Sequence, residues 1–251
     1  AEDGKKMSKR LKNYPDPMEV VKEYGSDCLR LYLLNSPVVR AEPLKFSKSG
    51  VHNMMKDIII PYKNTIVFFK EYLNLFLLEN KYSPIYDLTT EKISNPINVW
   101  VIQKYGQFRK EYYQSMKNYY LKNSVIVLSK LVDVINNGFI KLGRNLLKGK
   151  EGIDFWSESL STLYYIIKYL ITDFKAIIPY FCEIQYLELK NILATNNITD
   201  EFFEPLSIHL NDKLNQQTYI QISDEKNNYA TDSDIIYNII NTIYQLRGLS
   251  N

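Results

Sequence analysis

An all-α fold is predicted by three features of the 251-residue sequence: apolar residues recurring at steps of three and four, prolines placed just behind capping side chains, and no strand-like alternation. With 45% apolar residues the chain can bury a sizeable core.

The elements follow in order. Asp16-Pro17-Met18-Glu19 supplies an N-cap, a proline at the first helical position and a glutamate at the third, and Gly25 supplies a stop, so a short helix is predicted over 17–24. Ser26 and Asp27 open a second helix, apolar nearly all round at Leu29, Leu31, Tyr32, Leu33 and Leu34, and Pro37 ends it. Residues 38–47 read as irregular. Ser47 caps a long helix over about 48–79 that Pro61 is expected to kink. The stretch 80–94 reads as a loop.

Asn95-Pro96 repeats the cap-plus-proline signal and begins a helix to about 119, with Ile97, Trp100, Val101, Phe108, Tyr112 and Met116 on its buried side. After a short break, Leu121, Val125, Leu128, Val132, Ile135, Phe139, Leu142 and Leu146 alternate at steps of four and three, the period of helices packed nearly antiparallel in a bundle. Leu160, Leu163, Ile167, Leu170, Phe174 and Ile177 keep that rhythm until Pro179, and 180–193 continues as another helix. Residues 194–231 are polar and aperiodic, read as loop. A last helix, capped by Asp232 or Ser233, is predicted from Ser233 to about Leu246.

Composition narrows the function classes. No stretch reaches the roughly 18 uninterrupted apolar residues of a membrane span, so no membrane partner is expected. Cys28 and Cys182 stand far apart in apolar helical contexts and read as buried free thiols, and no metal site is expected. The net charge is +3, yet residues 101–150 hold ten Lys or Arg against Glu111 and Asp133. Such a block suits either nucleic-acid phosphates or a solvated helix face.

The amino end carries Asp3-Gly4-Lys5-Lys6-Met7-Ser8-Lys9-Arg10, a glycine, basic side chains and a hydroxyl in a segment able to close on a polyphosphate. Taken alone it also fits a solvated tail. Its continuation through Asn13-Tyr14-Pro15-Asp16-Pro17, Tyr24-Gly25-Ser26-Asp27 and Asn35-Ser36-Pro37-Val38-Val39-Arg40-Ala41-Glu42 resembles the class I aminoacyl-tRNA synthetases, and the last run resembles their eukaryotic-type isoleucyl branch.

That resemblance implies an anticodon-binding helix bundle preceded by the family's lysine-methionine-serine-lysine-serine signature loop and short connecting helices. It divides the chain into 1–47 for loop and connecting helices, 48–193 for the bundle, and 194–251 for the start of a variable extension. The resemblance assigns Lys6 and Lys9 to the two motif lysines that stabilise departing pyrophosphate, with Met7 and Ser8 in the middle positions and Arg10 replacing the final serine; together these contact the ATP phosphates. ATP with Mg is then a substrate of the whole enzyme, none being bound by this chain alone. The partners implied are tRNA(Ile) and a missing N-terminal catalytic domain, and the setting implied is cytoplasmic. Candidate tRNA contacts are Lys104, Arg109, Lys110, Lys117, Lys141, Arg144 and Lys148. Where relatives carry aromatic and arginine-rich residues, this chain has Asn137-Gly138-Phe139-Ile140-Lys141-Leu142-Gly143-Arg144. Because the motif starts almost at Ala1 and the histidine signature is absent, a C-terminal fragment inactive in adenylation is expected. A methionine, valine or leucine ligase, or a stand-alone helical RNA-binding module, are the rival readings.

Overall fold

In the computed structural model, which describes residues 4–8, 10, 11, 13–86, 88, 93–198 and 234, the first helix obeys its sequence signals. Met18 donates its N–H to Asp16 Oδ1 at 2.7 Å, Pro17 opens α1 (Pro17–Tyr24), and Gly25 closes it at φ 85°, a backbone conformation that residues with a Cβ rarely adopt. Helix α2 (Ser26–Asn35) departs from the all-round burial expected of it. It buries Asp27, Cys28 and Leu31 and leaves Leu33 exposed. Pro37–Arg40 forms one 3-10 turn capped by the Ser36 hydroxyl, so only 41–47 is irregular.

The helix expected over 48–79 is present in three pieces. Ser47 accepts the Gly50 N–H at 3.3 Å and starts α3 (Lys48–Met54), a π-helical turn covers Met55–Ile59, and α4 runs Ile60–Glu79. Proline lacks an N–H and its ring crowds the carbonyl four residues back. The wide turn directly before Pro61, in which the Ile60 N–H reaches the Met55 carbonyl, meets that demand by local rewinding.

Asn95 Oδ1 accepts the Ile97 N–H at 2.9 Å at the head of α5 (Pro96–Lys117). Helix α6 (Leu121–Asp133) continues into a second π segment, Val134–Ile140, then a turn at Gly143 and the short α7 (Arg144–Leu147). The apolar stripe from Leu121 to Leu146 is therefore real in its burial of Val125, Leu128, Val132, Ile135, Phe139 and Leu146, but it is not one regular helix. Asn136, Asn137 and Gly138 are poor helix formers at the point where it widens. Helix α8 (Ile153–Phe174) starts before the stripe suggests and stops before Ile177. A residue preceding proline is pushed out of the helical region; Ile178 sits at φ −125°, ψ 65° and α9 (Pro179–Thr195) begins afresh. Residues 199–231 and, apart from Asp234, the helix expected over Ser233–Leu246 lie outside the described residues. No strand occurs among the described residues, and no helix there is long and apolar enough to cross a membrane.

The chain packs as two compact units. One draws its described residues from 1–67, 108–132 and 168–197, the other from 68–107, 133–167 and 198–251. In the first, Val20, Cys28 and Val51 form a buried cluster edged by Tyr24, Leu29, Tyr32, Phe46, Met55 and Ile59. Tyr62 meets Phe181 edge-on at 5.0 Å and Tyr112 lies 4.4 Å from Phe174. In the second, Phe76 stands edge-on to Trp156 at 4.8 Å and Phe69 packs on Tyr164. There the buried Glu158 accepts from Ser94 N–H, the Ser94 hydroxyl, Asn95 N–H and Asn98 Nδ2 at 2.8–3.1 Å, which ties the loop ahead of α5 to α8.

Within the first unit α2 grips the start of α9. Asp27 Oδ2 accepts the Phe181 N–H at 2.6 Å, capping α9 from a distant helix, and Arg30 donates to the carbonyls of Ile177 and Ala176 at 3.0 and 3.2 Å. Burial raises the Asp27 carboxyl above its ordinary 3.8, opposed by the Phe181 N–H and the Arg30 charge. The unfolded chain titrates near the ordinary value, so the fold binds this proton more tightly. The ionised group costs stability above its raised pKa, and the cost is relieved as pH falls through that value. Thermal melts of the parent and Asp27→Asn are expected to diverge in the parent's favour as pH falls through the raised value toward the ordinary 3.8; parallel curves would contradict this. Cys28 and Cys182 are free and buried, with burial and the Asp27 charge pushing Cys28 up to about 11 and burial chiefly raising Cys182, so both stay protonated and inert.

Candidate functional site

The segment before α1 is held by a side chain that carries no charge. Asn13 Oδ1 accepts the Ser8 N–H at 2.9 Å while Asn13 Nδ2 donates to the Lys6 carbonyl at 3.1 Å, and the Leu11 N–H closes a turn onto the Ser8 carbonyl at 3.2 Å. Asparagine suits this because its amide presents both a donor and an acceptor, as a peptide group does. Lys6, Met7 and Arg10 are exposed, Ser8 is half-buried, and Lys9 lies outside the described residues. Met7, with 38% exposure, is not a core residue.

Gly4, at φ 82°, begins the described loop, and a Cβ built there would come within 3.3 Å of the Lys45 Cε. An exposed lysine from the segment before α3 therefore stands beside the loop. Neither Lys45 nor Asn13 is singled out by the sequence: the first is remote in the chain, and the second bonds five and seven residues back, a spacing outside the usual local turns. Tyr32 anchors the segment that bears Lys45, its hydroxyl donating to the Lys45 carbonyl at 3.3 Å and accepting the Ser47 N–H at 3.1 Å. Chemically this is an exposed, positively charged segment whose Lys6 carbonyl and Ser8 N–H are held by Asn13, open to an anionic ligand.

The basic block is divided between the two units. Arg109, Lys110 and Lys117 fall in the first, and Lys104, Lys141, Arg144 and Lys148 in the second. Lys110, Lys117, Lys141, Arg144 and Lys148 are exposed. Arg109 is not. Its guanidinium bonds Asp173 Oδ2 at 2.8 Å and lies 5.2 and 5.4 Å from the ring centres of Tyr113 and Tyr169, with side-chain exposures of 12% for Arg109 and 3% for Asp173. Tyr113 donates to the other Asp173 oxygen at 2.7 Å, and burial together with that carboxylate raises the phenol's pKa. Lys104 is half-buried too, 2.7 Å from Asp234, which also accepts from Trp100 Nε1. The sequence shows which residues are basic but not which are held by acids more than sixty residues away.

Around Lys141, Arg144 and Lys148 the backbone turns sharply. Gly149 takes φ 72° with its Cα pressed on Trp156, where an added Cβ would come within 2.3 Å of the indole, so any other residue there would displace the ring. The turn thus keeps Lys148 exposed beside a buried tryptophan in the same unit.

Comparison with known proteins adds family to geometry. The family described as the anticodon-binding domain of tRNA ligases matches residues 98–251, and that described as class I tRNA synthetases (I, L, M and V) matches residues 1–45. The chain is 37% identical over 212 residues to the cytoplasmic isoleucine–tRNA ligase of Mus musculus, an alignment covering 83% of this chain and 16% of that protein. It is 36% identical over 224 residues to a probable cytoplasmic isoleucine–tRNA ligase of Dictyostelium discoideum, covering 86% and 21%. With the Arabidopsis thaliana cytoplasmic isoleucine–tRNA ligase it shares 38% over 194 residues, covering 76% and 16%. The chain thus spans only 16–21% of the length of these curated relatives. Among solved structures, the LeuRS chain in a ternary complex from Agrobacterium radiobacter K84 aligns with TM-score 0.51 at 16% identity, over 84% of this chain and 23% of that one, a likeness of fold.

Proposed function

The chain belongs to the class I tRNA synthetases and carries their anticodon-binding domain, and we propose that it serves as the ATP-closing and tRNA-gripping part of an isoleucine–tRNA ligase. The observation that carries this reading is the pair of family matches over residues 1–45 and 98–251, joined to 36–38% identity with cytoplasmic isoleucine ligases of several eukaryotes over 76–86% of the chain. Those relatives are several times longer, and the proposal gives the adenine and amino-acid pockets to the remainder of such a protein. The whole enzyme joins isoleucine to ATP, supplied as its Mg complex, to form an adenylate and pyrophosphate, then transfers the isoleucyl group to tRNA(Ile). The setting proposed is the cytoplasm, as in the relatives' names.

Each part has a physical task. Lys6 and Lys9, with Met7, Ser8 and Arg10 beside them, meet the ATP phosphates, and positive charge that closes on pyrophosphate as it departs lowers the barrier more than charge bound equally throughout. Residues 48–193 hold the anticodon arm. Splayed bases stack on exposed aromatic faces while lysines neutralise phosphates. Of the candidates, the exposed Lys110, Lys117, Lys141, Arg144 and Lys148 are the ones assigned to phosphate, whereas Arg109 and Lys104, held in ion pairs, are assigned an indirect role.

Binding of labelled tRNA(Ile) transcript to this chain as salt is raised tests the reading. Five lysine or arginine contacts predict that log Kd changes with log salt at a slope of magnitude about 4. A flat response would overturn the basic surface as the RNA-binding face, and equal affinity for leucine, valine and methionine tRNAs would overturn the isoleucine assignment.

A further inference from the structure

We propose that Asn13 is a positioning residue for adenylate formation, acting as a clasp that sets the backbone from which Lys6 reaches the ATP phosphates. The inference rests on the function proposed above and goes beyond it by naming a residue outside the signature motif. Its two bonds bracket Met7: the carbonyl of Lys6 on one side and the N–H of Ser8 on the other are both taken up by one side-chain amide, at 3.1 and 2.9 Å. Both peptide planes that flank Met7 are thereby fixed in orientation.

The clasp also fixes where the loop stands. Asn13 lies three residues before Asp16, the cap of α1, and α1 is seated through the fully buried Val20 in the cluster with Cys28 and Val51. A loop of exposed cations with no such tie would sample many backbone states, and each would have to be given up before its charge met pyrophosphate. With the tie, the cost of ordering is met in the fold, and the Lys6 side chain alone need settle. The Leu11-to-Ser8 turn closes the remaining link, so the described part of the ring returns on itself between Lys6 and Asn13.

The test uses the intact ligase carrying Asn13→Ala, Asn13→Asp or Lys6→Ala, with isoleucine-dependent pyrophosphate exchange for the first step and single-turnover transfer from preformed adenylate to tRNA for the second. Asn13→Ala is expected to lower kcat of exchange about tenfold, the size of two modest hydrogen bonds lost, with the ATP KM, the transfer rate and the thermal midpoint near the parent's. Asn13→Asp, which keeps the acceptor for Ser8 but loses the donor to Lys6 and adds negative charge near the phosphates, is expected to fall further. Unchanged exchange in Asn13→Ala beside a damaged Lys6→Ala overturns the clasp and leaves the proposed function standing. Equal losses in exchange and transfer, or a lowered melting point, overturn it in favour of a general structural role. Unchanged exchange in Lys6→Ala removes the functional reading, and the clasp with it.

Discussion

Arg109→Ala is expected to cost the fold about 4 kcal/mol, the range for breaking a buried ion pair by removing one partner. The reason is Asp173. Its side chain is 3% exposed, and the guanidinium that faces it at 2.8 Å also stacks between Tyr113 and Tyr169. Alanine would leave the carboxylate in a dry site without the guanidinium that neutralises it and would open space beside two rings. Denaturant unfolding should show a lower midpoint at unchanged m. The double variant Arg109→Met with Asp173→Leu is expected to recover most of the loss, because a buried pair gains little over well-packed apolar residues once neither charge is stranded. The same experiment separates packing from RNA contact. At a temperature where Arg109→Ala remains folded, its tRNA affinity should keep the parent's salt slope, since no phosphate contact has been removed. A stable variant with a slope smaller by about one would place Arg109 on the RNA instead.

What the sequence conveys depends on whether the signal is local. Asp16, Pro17 and Gly25 state both ends of α1, because cap, proline and glycine each act within a few residues of themselves. Pro61 announces a disturbance, and the structure answers with a π turn at Met55–Ile59, on its amino side, where the displaced hydrogen bonds lie. The segment Val134–Ile140 gives less warning. Ile135 and Phe139 are both buried, as in a regular helix, so the four-step stripe passes through a π turn with its phase barely altered. Partnership across the chain is not legible. Arg109 and Lys110 are adjacent and both cationic, yet one is locked on Asp173 and the other is exposed. Leu33 fails in the opposite sense: its apolar neighbours promise burial on every side of α2, but the buried face is made by Asp27, Cys28 and Leu31, with the acid recruited to cap α9. For the loop, the cations are legible as a motif, while Asn13, which bonds the Lys6 carbonyl and the Ser8 N–H, sits beyond the motif's end.

Lys6→Ala in the intact ligase is expected to slow isoleucine-dependent pyrophosphate exchange about a hundredfold, comparable to losing one preorganised donor at a charge-developing centre. The effect should fall on kcat. An exposed lysine pays rotamer entropy to settle on phosphate, and that cost is returned only when the charge on the leaving oxygens has grown, so its contact favours the transition state over bound ATP. Lys6→Arg should retain part of the rate, since the charge is kept while the compact ammonium is replaced by a planar fork. The KM for isoleucine and the affinity for tRNA should be untouched: the lysine precedes α1, and the residues proposed for phosphate contacts with tRNA begin at Lys110. Raising salt should not rescue or mimic the variant, because a contact made in a closed, water-poor site is screened far less than one on the surface. Exchange at the parental rate in Lys6→Ala, or a loss confined to tRNA binding, would show that the amino-terminal lysine does not meet the departing diphosphate.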